Sequence, residues 1–206
     1  NEEGFYMENS TEYHFYSLQL LESFTSSGWY DNTGLTCLLA KAHEFSNTLF
    51  ASENDIFGFG DSDKDLLKRQ IRNGVISCKE VNEGVYTKPI SGIATSRIKN
   101  NDMISSLILT NQYNGDFHNH HDYLSFEWLY KNLWIVSDPG KFTYNKSEYK
   151  DWFLSERAHN SYSLSKLAHN HKTSQKIISG GDENSHYLIG QIFDEPFSAK
   201  IGRAHV

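Results

Sequence analysis

The stretch MISSLILT (residues 103–110) is a short run of β-prone residues with polar turn residues on either side. Two similar runs follow, YLSFEWLY (123–130) and LWIVS (133–137), and Asn, Asp, Gly or Pro separates the runs from one another. No helical pattern lies between them to connect parallel strands. Regularly spaced runs of this kind predict an antiparallel β-sandwich, which we place at residues 69–206.

The sequence before residue 69 follows a helical period instead. In ENSTEYHFYSLQLLESF (8–24), aromatic and aliphatic residues recur at helical spacing, namely Tyr13, Tyr16, Leu20 and Phe24. Asn9 is the predicted N-cap of this helix. A second helix is predicted in TGLTCLLAKAHEFSNTLF (33–50), and GFGDSD (58–63) breaks the helical pattern. The predicted fold class is therefore α+β, with the helices before the strands.

The composition excludes several classes of function. The formal charge is −7, with 12 acidic and 3 basic residues in 1–68 and 14 acidic and 16 basic residues in 69–206. The sequence has no basic stripe and no nucleic-acid motif, so nucleic acid is not an expected partner. No apolar run reaches the length of a membrane span. The 12 Tyr, 13 Phe and 4 Trp suit a β-rich protein or a sugar-binding cleft.

The cysteines and the chain ends add little about location. Cys37 and Cys78 allow at most one internal disulfide and do not define a redox compartment. The chain begins with Asn1 instead of Met, within a structured pattern, and its last residues, GRAHV, resemble the start of a strand. We expect the chain to be a fragment of a longer protein.

Histidines and aspartates are concentrated in GDFHNHHDYLSF (115–126). If residues 117–124 form a strand, His118, His120 and Asp122 share one face, because side chains alternate between faces. Two histidines two residues apart can bind one metal or divide between a metal and a substrate. With ten histidines in the chain, however, chance pairs are common, and a hydrated pair without a ligand is the alternative.

Two later residues complete a set of metal-binding residue types. Asp138 follows a predicted strand in SDPG, where a buried carboxylate needs a partner or a cation. His159 lies in RAHNSYSL. Two histidines and one aspartate are a set that zinc favours when one position is open or holds water. In the alternative, the histidines only form hydrogen bonds inside the sandwich, and Asp138 only caps its own turn.

The order of GDFHNHHDYLSF, LWIVSDPGKFTY and RAHNSYSL resembles the heparinase II/III-like polysaccharide lyases. The resemblance covers most of residues 1–165, and GFGDSD and ENSTEYH resemble the segments where the helical toroid of that family ends. It implies that residues 1–68 are the tail of an (α/α) toroid. It also implies that residues 69–206 are a truncated antiparallel β-sandwich.

The resemblance implies roles for individual residues as well. The implied sites are the catalytic residues His118 and Tyr13, the zinc ligands His120, Asp138 and His159, and the residues that orient the histidines, Asp122 and Asn160. His121 departs from the family, which more often has a small residue there, so an exchange of ligands with His121 is open. His14 is the alternative to Tyr13 as the active residue on the first helix.

The activity that the resemblance implies is β-elimination on a uronic-acid-containing polysaccharide, with a zinc ion that only stabilises the wall of the active site. It also implies an acidic polysaccharide as the partner and a periplasmic or extracellular location. The residue that neutralises the substrate carboxylate is expected outside this chain. We therefore expect these 206 residues to be inactive on their own.

Two other functions are consistent with the residues. One is a non-catalytic, metal-stabilised carbohydrate-binding β-sandwich, which predicts that Tyr13 does not face His118. The other is a metallohydrolase with an open zinc ion and an activated water molecule. For that reaction, Asp122 is the one candidate base that is near in sequence.

Overall fold

The three β-prone runs form neighbouring strands in the computed structural model. The structure describes residues 1–29, 33–78, 81–112, 117–161, 174–182, 185–194 and 197–201. The helices are α1 (Thr11–Ser26), α2 (Thr33–Leu49), α3 (Lys64–Arg72) and α4 (Glu148–Leu154), with a 3-10 turn at Glu156–Ala158. The strands are β1 (Gly84–Lys88), β2 (Ile93–Asn100), β3 (Met103–Thr110), β4 (Ser125–Tyr130), β5 (Leu133–Val136), β6 (Ser174–Gly181), β7 (His186–Asp194) and β8 (Phe197–Ile201). The predicted α+β class is confirmed.

Both sheets are antiparallel, and their strands lie in chain order. The first sheet runs β1-β2-β3-β4-β5 and the second runs β6-β7-β8. At the centre of the first sheet, Ile93 of β2 lies opposite Thr110 of β3, and Asn100 lies opposite Met103. Within each sheet, every strand pairs with its neighbours in sequence, as short connections between antiparallel strands allow. The two sheets pack face to face, which confirms the predicted antiparallel sandwich.

The two faces of the first sheet contact different parts of the molecule. Ile93 and Ile108 point to the face that packs against the helices, in one core with Phe45 of α2. The neighbouring side chains of Ala94 and Leu109 point to the other face and pack against the second sheet. This division follows from the alternation of side chains along a strand. The sheet is therefore covered on both sides.

Three of the four residues that indicated the helical period of α1 are exposed. Tyr16, Leu20 and Phe24 are exposed, by 57%, 44% and 55% respectively, whereas Phe15 and Leu18 are buried. Apolar residues occur on several sides of this helix, so its sequence period does not define the buried side. The packing against α2, in a core that includes Phe15, Leu18 and Phe45, decides which side is buried.

The N-cap of α1 is Ser10 and not the predicted Asn9. The Ser10 side chain accepts a hydrogen bond from the Tyr13 backbone N–H, as an N-cap does. Asn9 has a positive φ of 55°, and its side chain donates to the Phe117 carbonyl oxygen. Asn9 therefore links the start of α1 to the histidine-rich stretch.

Residues 117–124 form a loop, so the condition that they form a strand is not met. His118 and Leu124 have positive φ angles of 53° and 57°, and β4 begins only at Ser125. An extended strand cannot contain such residues, because a left-handed conformation turns the chain. The argument that alternation puts His118 and His120 on one face therefore does not apply.

Some predictions concern residues outside those that the structure describes. Residues 162–173 and the final GRAHV (202–206) lie outside the described residues. The predicted boundary between residues 68 and 69 lies inside α3, and the division into parts of two domains stays a prediction. Within the described residues, no helix combines the length and apolar character needed to cross a membrane.

Candidate active site

Loops from several parts of the chain meet at the N-terminus of α1. These segments are residues 8–13, 58–63, 117–122 and 138–144. Gly60 has a φ of 61°, and a Cβ atom there would collide with the Asn9 carbonyl oxygen. Gly140 has a φ of 65°, and a Cβ atom there would collide with the Ser62 carbonyl oxygen. Only glycine combines this backbone conformation with such close approaches, so these two glycines let the loops pack together.

Ser62 joins the loops to α1 by hydrogen bonds. Its hydroxyl donates to the Phe59 carbonyl oxygen at 2.6 Å and accepts from the Glu12 backbone N–H at 3.2 Å. Its own carbonyl oxygen accepts from the Lys141 backbone N–H at 3.1 Å. The Glu12 carboxylate accepts from the Asp63 backbone N–H at 2.7 Å and from the Lys141 ammonium at 2.9 Å. These bonds hold three of the four segments together, namely residues 8–13, 58–63 and 138–144.

Tyr13 and His118 lie ring against ring in this site. Their ring centroids are 3.6 Å apart, and the ring planes differ by 19°. The Tyr13 hydroxyl is 2.9 Å from the Tyr144 hydroxyl. Partial burial, the hydrogen bond to Tyr13 and the charge of Asp61 raise the pKa of Tyr144 above its usual value. Tyr144 therefore stays protonated and can donate a hydrogen bond to the Tyr13 oxygen.

His118 has a carboxylate beside each ring nitrogen. Its Nδ1 is 2.9 Å from Asp61 Oδ2, and its Nε2 is 3.2 Å from Glu8 Oε2. The second Asp61 oxygen, Oδ1, is 2.8 Å from Nε2 of His120. Partial burial opposes ionisation of Asp61, but the hydrogen bonds from His120 and His118 outweigh it and lower the pKa of Asp61 to about 2. One carboxylate thereby orients both histidines.

A chain of hydrogen bonds continues from His120 into the interior. Its Nδ1 is 3.1 Å from Nε2 of His159, which is also 2.8 Å from the Phe153 carbonyl oxygen. On the other side of the His159 ring, Nδ1 is 2.7 Å from Asp138 Oδ2. Burial opposes protonation of His159, but the hydrogen bond and charge of Asp138 outweigh it and raise the pKa of His159 to about 9. The chain of hydrogen bonds therefore contains an imidazolium between buried acceptors.

Asp138 performs two functions at once. Its Oδ2 contacts His159, while its Oδ1 accepts from the Gly140 backbone N–H at 2.8 Å. The second contact is the turn-capping role that the sequence left open. The alternative role, a cap for its own turn, is therefore present together with a contact to His159, and the role as a zinc ligand stays a prediction.

An open cleft of about 180 Å³ lies beside these groups. Its walls include His118, Lys141, Tyr144, Lys150 and Phe153. The Lys150 ammonium donates to the Tyr144 carbonyl oxygen at 3.3 Å. Imidazole, phenol and ammonium groups around a concave surface suit a polar, anionic ligand. The cleft combines these groups with the stacked pair of Tyr13 and His118.

The sequence and the fold were compared with known proteins. A family model described as heparinase II/III-like, C-terminal, matches residues 89–177. Residues 89–177 are thus similar to the C-terminal region of heparinase II/III-like proteins. This confirms the resemblance seen in the sequence. No curated protein matches the sequence.

Solved structures of heparinases have the same fold as this chain. They include a heparan sulfate lyase, HepC, from Pedobacter heparinus (TM-score 0.75, 15% identity), a heparinase III gene product (0.78, 14%) and a heparinase III (0.74, 17%). Each match covers 98% of this chain but only 36–38% of the other chain. The chain thus spans little more than a third of the length of these lyases. At this level of identity, the likeness shows the fold alone.

The three predicted zinc ligands lie together, but their donor atoms do not converge. His120 and Asp138 contact opposite edges of the His159 ring, so hydrogen bonds link the three side chains in a row. Among the described residues, no group of three His, Cys, Asp or Glu side chains is arranged to hold a metal ion. The donor types fit zinc, but this arrangement does not. The zinc ion stays a prediction.

The residues predicted to orient the histidines have different surroundings. Asp122 is buried near His159 and His120, and burial raises its pKa although both histidine charges oppose this effect. Asn160 accepts from the Phe126 backbone N–H through its carbonyl oxygen, while its side-chain nitrogen is buried without a hydrogen-bond partner among the described residues. The proposed orienting contacts of Asn160 are therefore not seen.

Two neighbours of the predicted residues have other contacts. His121 donates its backbone N–H to the Leu154 carbonyl oxygen at 2.9 Å. The His14 ring is buried and lies 2.9 Å from the Ser46 hydroxyl. Tyr13, and not His14, is therefore the residue of α1 that contacts His118 and Tyr144, which line the cleft.

Glu127 of β4 contacts three segments that lie next to the site. It is buried and forms an ion pair with Lys64, and it accepts hydrogen bonds from the backbone N–H groups of Gly58 and Asp138. Burial raises its pKa to about 7 against the opposing charge of Lys64. This single carboxylate ties the GFGDSD loop, β4 and the turn after β5 to one another.

Asp61, Tyr144 and Lys141 are site residues that the sequence did not reveal. GFGDSD and LWIVSDPGKFTY were identified as segments of interest, but nothing in them predicted that Asp61 contacts two histidines 57 and 59 positions away. The available signal was a polar residue in a glycine-containing loop that resembles a family motif. Such a signal locates a segment and does not define a contact.

Proposed function

We propose that the protein to which this chain belongs is a polysaccharide lyase that cleaves a uronic-acid-containing polysaccharide by β-elimination. One observation carries this proposal: Tyr13 and His118 are stacked at the edge of an open cleft that also holds ammonium groups. The shared fold with heparan sulfate lyases and heparinases supports the same class of reaction.

The reaction requires three tasks: the uronate carboxylate is neutralised, the C5 proton is removed and the leaving oxygen is protonated. The C5–H bond and the C4–O bond of the uronate unit break, a C4–C5 double bond forms, and the leaving oxygen gains a proton. Tyr13 reacts as the phenolate: it takes the proton from C5 and becomes a neutral phenol, then delivers that proton to the leaving oxygen and returns to the phenolate. Positioned acid–base groups of this kind contribute about 10²–10⁴-fold to the rate. The Tyr144 hydroxyl, 2.9 Å away, orients the Tyr13 oxygen.

His118 donates from Nε2 to the uronate carboxylate in this mechanism. The support is that Nε2 already lies 3.2 Å from the Glu8 carboxylate, which shows that an anionic group can reach this position. Asp61 fixes the opposite nitrogen and thereby the direction of Nε2. Neutralising the carboxylate lowers the cost of removing the C5 proton. The resemblance predicts a further neutralising residue outside this chain.

Zinc is a separate proposal that no step of this reaction requires. Histidine and aspartate are residue types that bind zinc, which supports a site at His120, Asp138 and His159. The hydrogen bonds that now link these three side chains do not support it. The role proposed for the ion is structural. A periplasmic or extracellular location and an acidic polysaccharide as partner follow from the resemblance and are proposals too.

The competing functions explain less of the site. The non-catalytic sandwich required that Tyr13 does not face His118, whereas the two rings are stacked. The metallohydrolase required an open metal site with Asp122 as base. Asp122 is buried, and the nearby histidines form hydrogen bonds with other groups. Neither alternative is favoured.

The test is an assay of the full-length protein that carries this chain, with heparan sulfate and alginate as substrates and absorbance of the unsaturated uronate as the signal. We expect the Tyr13→Phe variant, which keeps the ring that stacks on His118, to lose about 10²–10⁴-fold in kcat. The Tyr16→Phe variant, one turn along the same helix and exposed, is the matched control and should keep its activity.

Two results would contradict the proposal. Products without the double bond would indicate hydrolysis. Full activity of Tyr13→Phe, with normal folding of the variant, would exclude Tyr13 as the acid–base group.

We expect His118→Ala to lower kcat/KM strongly, and His43→Ala, a change at an exposed histidine of α2, to have no effect.

A further inference from the structure

Aromatic side chains form an exposed cluster beside the cleft. We call Phe142, Tyr149, Trp152 and Phe153 the aromatic platform. Phe142 is 57% exposed, Tyr149 68% and Trp152 47%. The rings contact one another: Phe142 stacks on Phe153 with centroids 5.4 Å apart, and Tyr149 lies 5.6 Å from Phe142. Trp152 lies edge-on to Phe153 at 5.1 Å.

Hydrogen bonds from the interior hold the platform in place. The Phe153 carbonyl oxygen accepts from His159, and the Leu154 carbonyl oxygen accepts from the His121 backbone N–H. At the other end of α4, the Ser147 hydroxyl caps the helix by accepting from the Lys150 backbone N–H. The rings therefore project from a fixed backbone, which makes their exposure a stable feature of the surface.

The platform is continuous with the cleft. Phe142 and Phe153 belong both to the platform and to the wall of the cleft, together with Lys141 and Lys150. A chain-like ligand that places one unit against Tyr13 and His118 would thus extend directly over the platform. The ammonium groups at the border suit the acidic groups of such a ligand.

Clustered aromatic rings at a surface usually mark a binding site, because exposed apolar area is costly. Flat rings bordered by polar and charged groups fit partners that are apolar on one face and polar at the edge. Pyranose sugars have this character, since their C–H groups form the faces of the ring and their hydroxyls form its edge.

We propose that the aromatic platform binds the sugar units that adjoin the unit in the cleft, and so gives the protein a preference for longer chains. This proposal rests on the proposed function for the identity of the ligand. It adds a binding surface outside the residues that perform the reaction.

The experiment measures binding of heparan sulfate disaccharides, tetrasaccharides and octasaccharides by calorimetry, with the full-length protein and its Trp152→Ala and Tyr149→Ala variants. We expect each variant to bind the octasaccharide about two- to tenfold more weakly, and the disaccharide with unchanged affinity. Trp29→Ala is the matched control, because Trp29 is 82% exposed but lies beyond the far end of α1.

Two results would overturn the proposal. The first is an equal dependence of affinity on chain length in Trp152→Ala, Tyr149→Ala and Trp29→Ala. The second is self-association of the unchanged protein that Trp152→Ala abolishes, which would identify a second copy of the chain as the occupant. Circular dichroism of each variant tests its folding, and Trp152→Phe, which keeps an aromatic face, should restore most of the affinity.

These outcomes are separable from those of the proposed function. If the protein gives no unsaturated product, length-dependent binding still tests the platform. If the protein is a lyase and the platform variants behave like Trp29→Ala, only the platform proposal fails. In an active protein, we expect Trp152→Ala to raise KM for long chains with little change in kcat.

Discussion

His159 and His14 are both buried, yet their protonation is opposite. Burial disfavours the charged form of both rings. The pKa of His159 nevertheless rises to about 9, because Asp138 lies 2.7 Å from its Nδ1. The pKa of His14 falls to about 3, because no carboxylate balances the cost of desolvation. The buried partner, and not the degree of burial, decides the charge.

The surroundings of His14 satisfy a neutral ring. Its Nδ1 accepts from the Tyr6 backbone N–H at 3.3 Å, and its Nε2 donates to the Ser46 hydroxyl, which in turn donates to the Ala42 carbonyl oxygen. Phe5 stacks on the ring with centroids 5.5 Å apart. The histidines of the candidate site have charged partners instead, which makes that region sensitive to the loss of a single carboxylate.

The largest effect is expected from removal of the partner of His159. In Asp138→Ala, the buried His159 loses its carboxylate and the Gly140 backbone N–H loses its acceptor. Removing one member of a buried pair costs about 3–5 kcal/mol, so we expect the free energy of unfolding in urea to fall by that amount. Asp138→Asn, which keeps one side-chain oxygen as an acceptor, should cost less.

The control for this comparison is Asp102→Ala, a change at an exposed aspartate in the turn between β2 and β3. It should change the free energy of unfolding by less than about 0.5 kcal/mol. An Asp138→Ala variant as stable as Asp102→Ala would show that His159 is buried neutral, like His14, and would remove the contrast between the two sites.

A somewhat smaller effect is expected from zinc. If the zinc prediction is correct, a concentration of Zn²⁺ a hundred times its Kd adds about 2.7 kcal/mol to the free energy of unfolding. His120→Ala should abolish this gain, and His43→Ala, at an exposed histidine, should retain it. Elemental analysis of the purified protein gives the stoichiometry.

The opposite result is equally informative. Zn²⁺ without any effect on unfolding would contradict the zinc prediction and leave the hydrogen bonds from Asp61 to Asp138 as the complete structure of this cluster. The two buried histidine sites would then differ only in their carboxylates, and not in a bound ion.

Local patterns predicted the strands and the chemical character of the site. The run MISSLILT coincides with β3 (Met103–Thr110), because a short apolar run between turns has few other solutions. The resemblance selected Tyr13 and His118, which the fold brings into contact. Their meeting depends on long-range packing of loops, which no local period encodes.

The errors have the same cause. Leu20 and Phe24 belong to the helical period that predicted α1, but they are exposed, and packing with distant segments buries Phe15 and Leu18 instead. His118 was placed on a strand, but contacts with Asp61 hold it in a left-handed loop conformation. In both cases a tertiary contact outweighs the local preference that the sequence expresses.

The smallest effect concerns the neutral His14, and it is measured as a pH dependence of the free energy of unfolding. The pKa of His14 is about 3 in the folded protein, below the usual value of 6.5, so the unfolded chain binds a proton more readily. Its contribution to stability is complete above pH 6.5 and is lost as the pH falls towards 3. Between pH 7 and pH 5 the loss is about 2 kcal/mol in the free energy of unfolding.

The measurement compares urea unfolding at pH 7 and pH 5 for the unchanged protein, His14→Gln and His43→Gln. His14→Gln removes the titrating group, so its stability should fall less between the two pH values. His43 is exposed, and His43→Gln should follow the unchanged protein. Identical pH dependence in all three proteins would mean that His14 takes up a proton in the folded protein as readily as in the unfolded chain. Burial without a carboxylate would then not suffice to keep a histidine neutral, and the distinction between the two sites would be lost.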